Sequence, residues 1–310
     1  MNELVILAAI GPFTITAYGL CIALGALLAA LLTVALGSKR VDSTLSLCAS
    51  TLLGALLGGR ALYCLTMLET ILVDLDASFL PQLWQGGYTL YGAVLGGAAG
   101  AAIYARAAHR DARPLLDLLA PGAALMLTVA RLAEYFTSQG LGDYIVDEAM
   151  MRFPFAVPSV YEDYQIPVFL YEALAAAVIL LVTLRMLRGA RPGRTAETFI
   201  ILLGVTQVIL ESLREDEFIR FGFVRLNQLM AAFTMAAVLA ARVKRCVQGR
   251  GWDAWQISRI VLFLLSVGGV ILLEFALDKS SIDNVILYAV MAGTLAVMAV
   301  SLLRDGRHGA

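Results

Sequence analysis

Long apolar stretches, broken by short charged or Gly- and Pro-bearing segments, set the pattern of the chain. Runs of membrane-spanning length lie near residues 13–36, 44–68, 88–107, 114–136, 166–188, 196–213, 224–243, 257–277 and 282–303, given that about 20 apolar residues cross the hydrocarbon as a helix. The fifth run is bounded by Pro167 and by the basic segment 188–194, and the sixth is diluted by Thr206, Gln207 and Glu211. Gly54, Gly58 and Gly59 in the second run, and Gly92, Gly96, Gly97 and Gly100 in the third, predict close approach between helices. The string GGAAG at 96–100 lies within a span and does not follow a strand. It therefore reads as packing surface, not as a phosphate-binding loop.

Charge orients these runs. Lys39 and Arg40 follow the first run, Arg106, Arg110 and Arg113 the third, and Arg185, Arg188, Arg191 and Arg194 the fifth. Arg242, Lys244, Arg245 and Arg250 follow the seventh, and Arg304 and Arg307 the ninth. The alternate loops are acidic or mixed, with Glu69, Asp74 and Asp76, then Asp143, Asp147, Glu148, Glu162 and Asp163, then Glu215, Asp216 and Glu217. Basic loops stay cytoplasmic, which predicts an outer N-terminus and a cytoplasmic C-terminus. Segments 69–87 and 137–165 then fall outside, and their Trp84, Tyr161 and Tyr164 suit small arms on the outer leaflet.

Composition agrees. The chain of 310 residues is 60% hydrophobic and 15% charged, with mean hydropathy +0.81, whereas soluble domains carry about 25% charged residues. The reading is an all-α polytopic membrane protein. The net charge of −1 names no partner, because the charges are segregated between loops, and no nucleic acid is expected. The opening MNELVILAAIGP has no basic n-region, so no cleaved signal peptide is expected. Cys21, Cys48, Cys64 and Cys246 show no CxxC spacing. They predict packing residues, with no disulfide, metal site, cofactor or thiol nucleophile.

The polar groups within the spans converge on one depth. With the orientation above, Tyr18, Arg60, Tyr88, Tyr91, Arg131, Glu134, Tyr171, Glu172, Gln207, Glu211 and Arg214 all fall toward the outer half. Charges at bilayer depth cost on the order of 3 kcal/mol each on insertion scales, so they face polar cavities and pair. Arg131 and Glu134 are three apart, and Gln207, Glu211 and Arg214 follow at four and three, so each set shares a helix face. Snorkelling at a helix end is the alternative, strongest for Arg214 beside a loop. Arginine binds phosphate as a planar, permanently charged fork. Arg60 and Arg131, with Arg214, suit a phospholipid head group, and Glu134, Glu172 and Glu211 could pair with them or act as a base. His109 lies in an inner loop and His308 in the tail, leaving carboxylates, tyrosines or the substrate to accept a proton.

These residues, in this order, resemble the prolipoprotein diacylglyceryl transferases. The strings are Tyr18-Gly19-Leu20, Gly58-Gly59-Arg60 with Tyr63, Trp84-Gln85-Gly86-Gly87, Asp117 through Pro121, and Arg131-Leu132 followed by Gly142. FPFA at 153–156, Leu170-Tyr171-Glu172, Glu211 with Arg214, and Gln228 complete the set, which runs from Thr16 to Arg245. The resemblance implies a seven-span transferase-like core over 10–245, with two additional C-terminal spans and a short tail over 246–310. It implies transfer of diacylglyceryl from phosphatidylglycerol to the lipobox cysteine of a prolipoprotein, in a bacterial cytoplasmic membrane. On that mapping Arg131 faces the phosphate, Tyr18 and Glu211 line the site, and Gly142 allows a close backbone approach.

The chain also departs from the family pattern. Tyr91-Gly92-Ala93 stands where the family has HGG, and Arg131-Leu132-Ala133-Glu134 where it has R-L-G-N. Thr137-Ser138-Gln139 replaces N-G-E, Ile166-Pro167-Val168-Phe169 replaces H-P-S-Q, and Gln207 occupies an arginine position. The expected catalytic set is Arg131, Tyr91, Glu211 and Tyr18. Arg60, Glu134, Gly142, Tyr171, Glu172, Gln207 and Arg214 are expected to bind substrate. Two alternatives stand beside this reading. One is a relative that binds phosphatidylglycerol, another phospholipid or a lipidated partner with changed or lost catalysis. The other is a transporter, which the lack of a visible internal repeat disfavours.

Overall fold

The computed structural model describes residues 5–11, 13–37, 41–75, 77–158, 163–215, 220–221 and 224–304. Lys39, Arg40, Asp76, Tyr161, Glu162, Asp216, Glu217, Arg307 and His308 lie outside the described residues. The chain runs β1 (Ile6–Ile10), β2 (Phe13–Thr16), α1 (Ala17–Leu36), α2 (Val41–Thr66), α3 (Leu68–Thr70), α4 (Leu90–Ala107) and α5 (Ala112–Ala133). There follow β3 (Val157–Pro158), β4 (Tyr164–Gln165), α6 (Val168–Met186), α7 (Arg194–Ser212), β5 (Arg220–Phe221), β6 (Val224–Arg225), α8 (Leu226–Arg250), α9 (Ala254–Lys279) and α10 (Asn284–Leu303).

All nine apolar runs are helical over most of their length. Eight of these helices are long and apolar enough to cross a membrane. The ninth, α4, is 18 residues long, with glycine and alanine at most positions. The protein is an all-α polytopic membrane protein. The first run differs in detail from its sequence reading. Residues 6–16 form an antiparallel hairpin turning at Gly11, whose φ is +60°, and α1 begins only at Ala17, where the Thr16 hydroxyl accepts from Gly19 N at 3.0 Å.

The described chain divides into two compact units. The first comprises Met1–Gly140, Pro158–Asp163 and Phe169–Ala196. Its tightest seam joins α2 to α4 through glycine. A Cβ added at Gly58 would lie 2.5 Å from Gly92 O and 2.7 Å from Gly96 Cα, so the backbones touch with no side chain between them. At the other end of this seam Ser50 Oγ donates to Gly100 O at 2.8 Å. The seam between α1 and α5 uses the same device: a Cβ at Gly122 would lie 2.5 Å from Thr33 Oγ1. Leu20, Leu24, Leu27 and Leu31 of α1 are exposed along one face, the stripe that meets lipid. Asp117 of α5 is buried and accepts from Gly193 N at 2.5 Å and Ala196 N at 2.8 Å. It caps the start of α7, where free N–H groups and the helix dipole favour a carboxylate. A cavity of about 550 Å³ opens among Leu36, Ser43, Leu47, Arg110, Asp111 and Leu118, at the end of α5 far from Arg131. The Asp111 carboxyl on its rim is held below the usual carboxylate range by the Arg113 side chain.

The second unit comprises Leu141–Val157, Tyr164–Val168 and Glu197–Ala310. Here α9 and α10 pack as a hairpin and are tied to the helices before them at both ends. At one end Ser212 and Gln228 donate to Glu274. At the other, Arg242 and Arg259 both donate to Leu302 O, the latter at 3.1 Å, while Arg242 Nε pairs with Glu197 at 2.6 Å and Arg245 joins the same carboxylate. One free carbonyl at the end of α10, that of Leu302, is thus capped by two cations.

Candidate active site

In the first unit three of the expected residues meet. Arg131 occupies the last turn of α5 and Glu134 the turn after it. Arg131 Nη1 lies 2.5 Å from Glu134 Oε1, and Nη2 lies 3.3 Å from Glu172 Oε1 on α6. Their exposures are 7%, 6% and 4%. The spacing of three delivers Glu134, and Gly140 helps to deliver Glu172. Gly140 has φ +73°, its carbonyl accepts from Phe169 N at 2.8 Å, and a Cβ there would collide with the Glu134 carboxylate. One buried guanidinium thus contacts two buried carboxylates. In low dielectric, such a group is stable only while all members stay paired.

Tyr18, Tyr91 and Tyr171 sit in the first turns of α1, α4 and α6. Tyr91 is 1% exposed, so its phenol is an interior group. Arg60 goes elsewhere. Its guanidinium donates to Phe79 O at 2.6 Å and to Gly86 O, and it stacks 4.4 Å from the Phe79 ring. Arg60 therefore clamps the segment 79–87 to α2, using the fork that the sequence reading assigned to a head group.

The second unit gathers another buried set. Glu211, 0% exposed, accepts from Gln207 Nε2 at 2.7 Å and Asn227 Nδ2 at 3.0 Å. Its other oxygen lies 3.7 Å from Arg225 Nη1. The Arg225 guanidinium also donates to Arg214 O, so Arg214, itself buried, joins this set through its backbone. Gly142 makes the close approach that its identity implies: its N–H donates to Ile166 O at 2.8 Å, and a Cβ would lie 2.5 Å from Leu213 O.

Sequence reasoning missed Arg225, Asn227, Ser212 and Glu274. Arg225 and Asn227 flank the start of the seventh run and were absorbed into it. Glu274 left a clearer signal, as the single ionisable residue between Arg259 and Asp278 of α9.

Residues 5–243 match the family model described as prolipoprotein diacylglyceryl transferase. The chain belongs to this family. It is 28% identical over 232 residues to phosphatidylglycerol–prolipoprotein diacylglyceryl transferase 1 of Clostridium perfringens, covering 72% of this chain and 87% of that one. It is 27% identical over 230 residues to the transferase of Streptococcus pneumoniae, with 72% and 86% covered. For that of Limosilactobacillus reuteri the identity is 27% over 247 residues, with 76% and 89% covered. As a member of this family the protein is a multi-pass membrane transferase. Both buried sets carry residues inside the matched segment, whereas α9 and α10 lie beyond it.

Proposed function

We propose that the protein transfers a diacylglyceryl group from phosphatidylglycerol to the lipobox cysteine of a prolipoprotein, at the outer face of a bacterial cytoplasmic membrane. The cysteine sulfur attacks the glycerol carbon that bears the phosphate ester, the carbon–oxygen bond breaks, and glycerol phosphate leaves with the bonding electrons. The observation that carries this reading is the buried Arg131, placed by its own helix in a family-matched segment. A preorganised guanidinium stabilises charge that develops on a leaving phosphate. The thiol proton passes to a carboxylate, directly or through the Tyr91 phenol, which hands on its own proton as it accepts one. Of the other residues that the resemblance implies for substrate or catalysis, Tyr18 and Tyr171 belong to the first unit, and Glu211, Gln207, Gly142 and Arg214 to the second.

A second reading is favoured by the charge of the Arg131 set. Glu134 and Glu172 both pair with Arg131, which weakens attraction for an anionic head group. A zwitterionic phospholipid would bring its own cation to these carboxylates. The test is purified protein in phosphatidylglycerol vesicles with a lipobox cysteine peptide, read by mass spectrometry. A mass gain of one diacylglyceryl group, absent in Arg131→Ala, is the expected result. A gain only in phosphatidylethanolamine vesicles would establish the second reading, and no gain in either would refute transfer.

A further inference from the structure

Glu274 lies in α9, beyond the residues that the family model matches, yet it reaches into residues that the family model covers. Its Oε1 accepts from Ser212 Oγ at 2.7 Å and from Gln228 Nε2 at 2.6 Å. Ser212 is the neighbour of Glu211. Gln228 bridges three helices: its Nε2 also donates to Val208 O at 3.2 Å, and its Oε1 accepts from Arg225 N at 3.0 Å. From α10, the Tyr288 hydroxyl donates to Ser212 O at 3.1 Å, one of the carbonyls left free where α7 ends. Both added helices therefore grip the turn that carries Glu211.

We propose that Glu274 is a positioning residue for the transferase reaction, holding Ser212 and Gln228 and, through them, Glu211. Packing alone does not call for it. A carboxylate is costly within an apolar helix, and a hairpin that only had to pack would bury an aliphatic side chain there. Glu274 is 9% exposed, and its two donors come from α7 and α8, the helices that also supply Glu211 and Asn227. The extra hairpin thus supplies an outer support that orients the ends of both helices, in the way outer-shell partners fix the groups they touch.

This inference rests on the proposed function, and its test separates the two. Transfer by the full-length protein is measured for Glu274→Ala, Glu274→Gln and Ser212→Ala, with the thermal midpoint in detergent and hydrogen exchange of residues 207–214 read on the same samples. Glu274→Ala is expected to lower kcat at least about 10-fold with KM within about 2-fold of wild type and to speed exchange of 207–214. Glu274→Gln keeps a carbonyl acceptor and is expected to recover kcat to within about 3-fold. Unchanged kcat and exchange in Glu274→Ala would overturn the proposal. So would a loss of activity that tracks the thermal midpoint and is not rescued by glutamine, since that is the mark of a purely structural group. If wild type itself transfers nothing, the proposed function fails, and exchange of 207–214 alone decides whether Glu274 holds the turn.

Discussion

Arg131 faces two demands, to neutralise two buried carboxylates and to meet a phosphate. Arg131→Ala removes the guanidinium that pairs with Glu134 and Glu172, and removing one partner of a buried ion pair costs about 3–5 kcal/mol. It should abolish at least about 100-fold of transfer, in the range of losing a preorganised donor, and lower the thermal midpoint. Adding Glu134→Gln and Glu172→Gln should restore the midpoint without restoring transfer, a comparison that separates the two demands. For Arg60 the expected consequence is local: Arg60→Gln should speed hydrogen exchange across 79–87, because that segment is held by the lost fork. The pairing of Arg131 with Glu134 was legible from a spacing of three. Glu172 was legible as one of three carboxylates that could pair with the arginines, but its choice of Arg131 was not, because their meeting depends on the left-handed turn at Gly140. The carbonyl partners of Arg60 were not legible, since a loop 19 to 26 residues away leaves no trace in local pattern.

Among the elements, apolar runs read directly as helices, because in a bilayer the backbone must satisfy its own hydrogen bonds. The glycines also gave the α2–α4 contact away, since residues spaced four apart on both helices put bare backbone on one face. Gly96→Leu should separate these helices. Overpacking costs about 1–3 kcal/mol in ordinary cores, and direct backbone contact places this site at the upper end. Loss of the monodisperse peak in detergent chromatography would report it, while Gly189→Leu, at a position with open space around it, should have no such effect. The β1–β2 hairpin was not legible: its residues are as apolar as the helix that follows, and periodicity cannot separate a short strand from the head of a span.

For the whole molecule, the alternation of basic and acidic loops predicts a topology with the N-terminus outside and the C-terminus in the cytoplasm. Cys246 near the end of α8 is exposed and lies on the cytoplasmic side of that topology. A membrane-impermeant maleimide should label it in intact cells only after permeabilisation; labelling without it would invert the topology. The two C-terminal helices were legible as spans but not as parts of the second unit, because a single buried glutamate gives depth without a partner. The glycine seam bears on how the protein is made. Because α4 presents bare glycine backbone along the whole α2 seam, that face offers lipid no side chains to pack against until α2 covers it. Its stability in the bilayer depends on the bare backbone face of α2, already synthesised and waiting. Insertion of α4 is then a templated event, and a nascent chain lacking α2 should leave α4 unintegrated, which glycosylation-site mapping of truncated chains would detect.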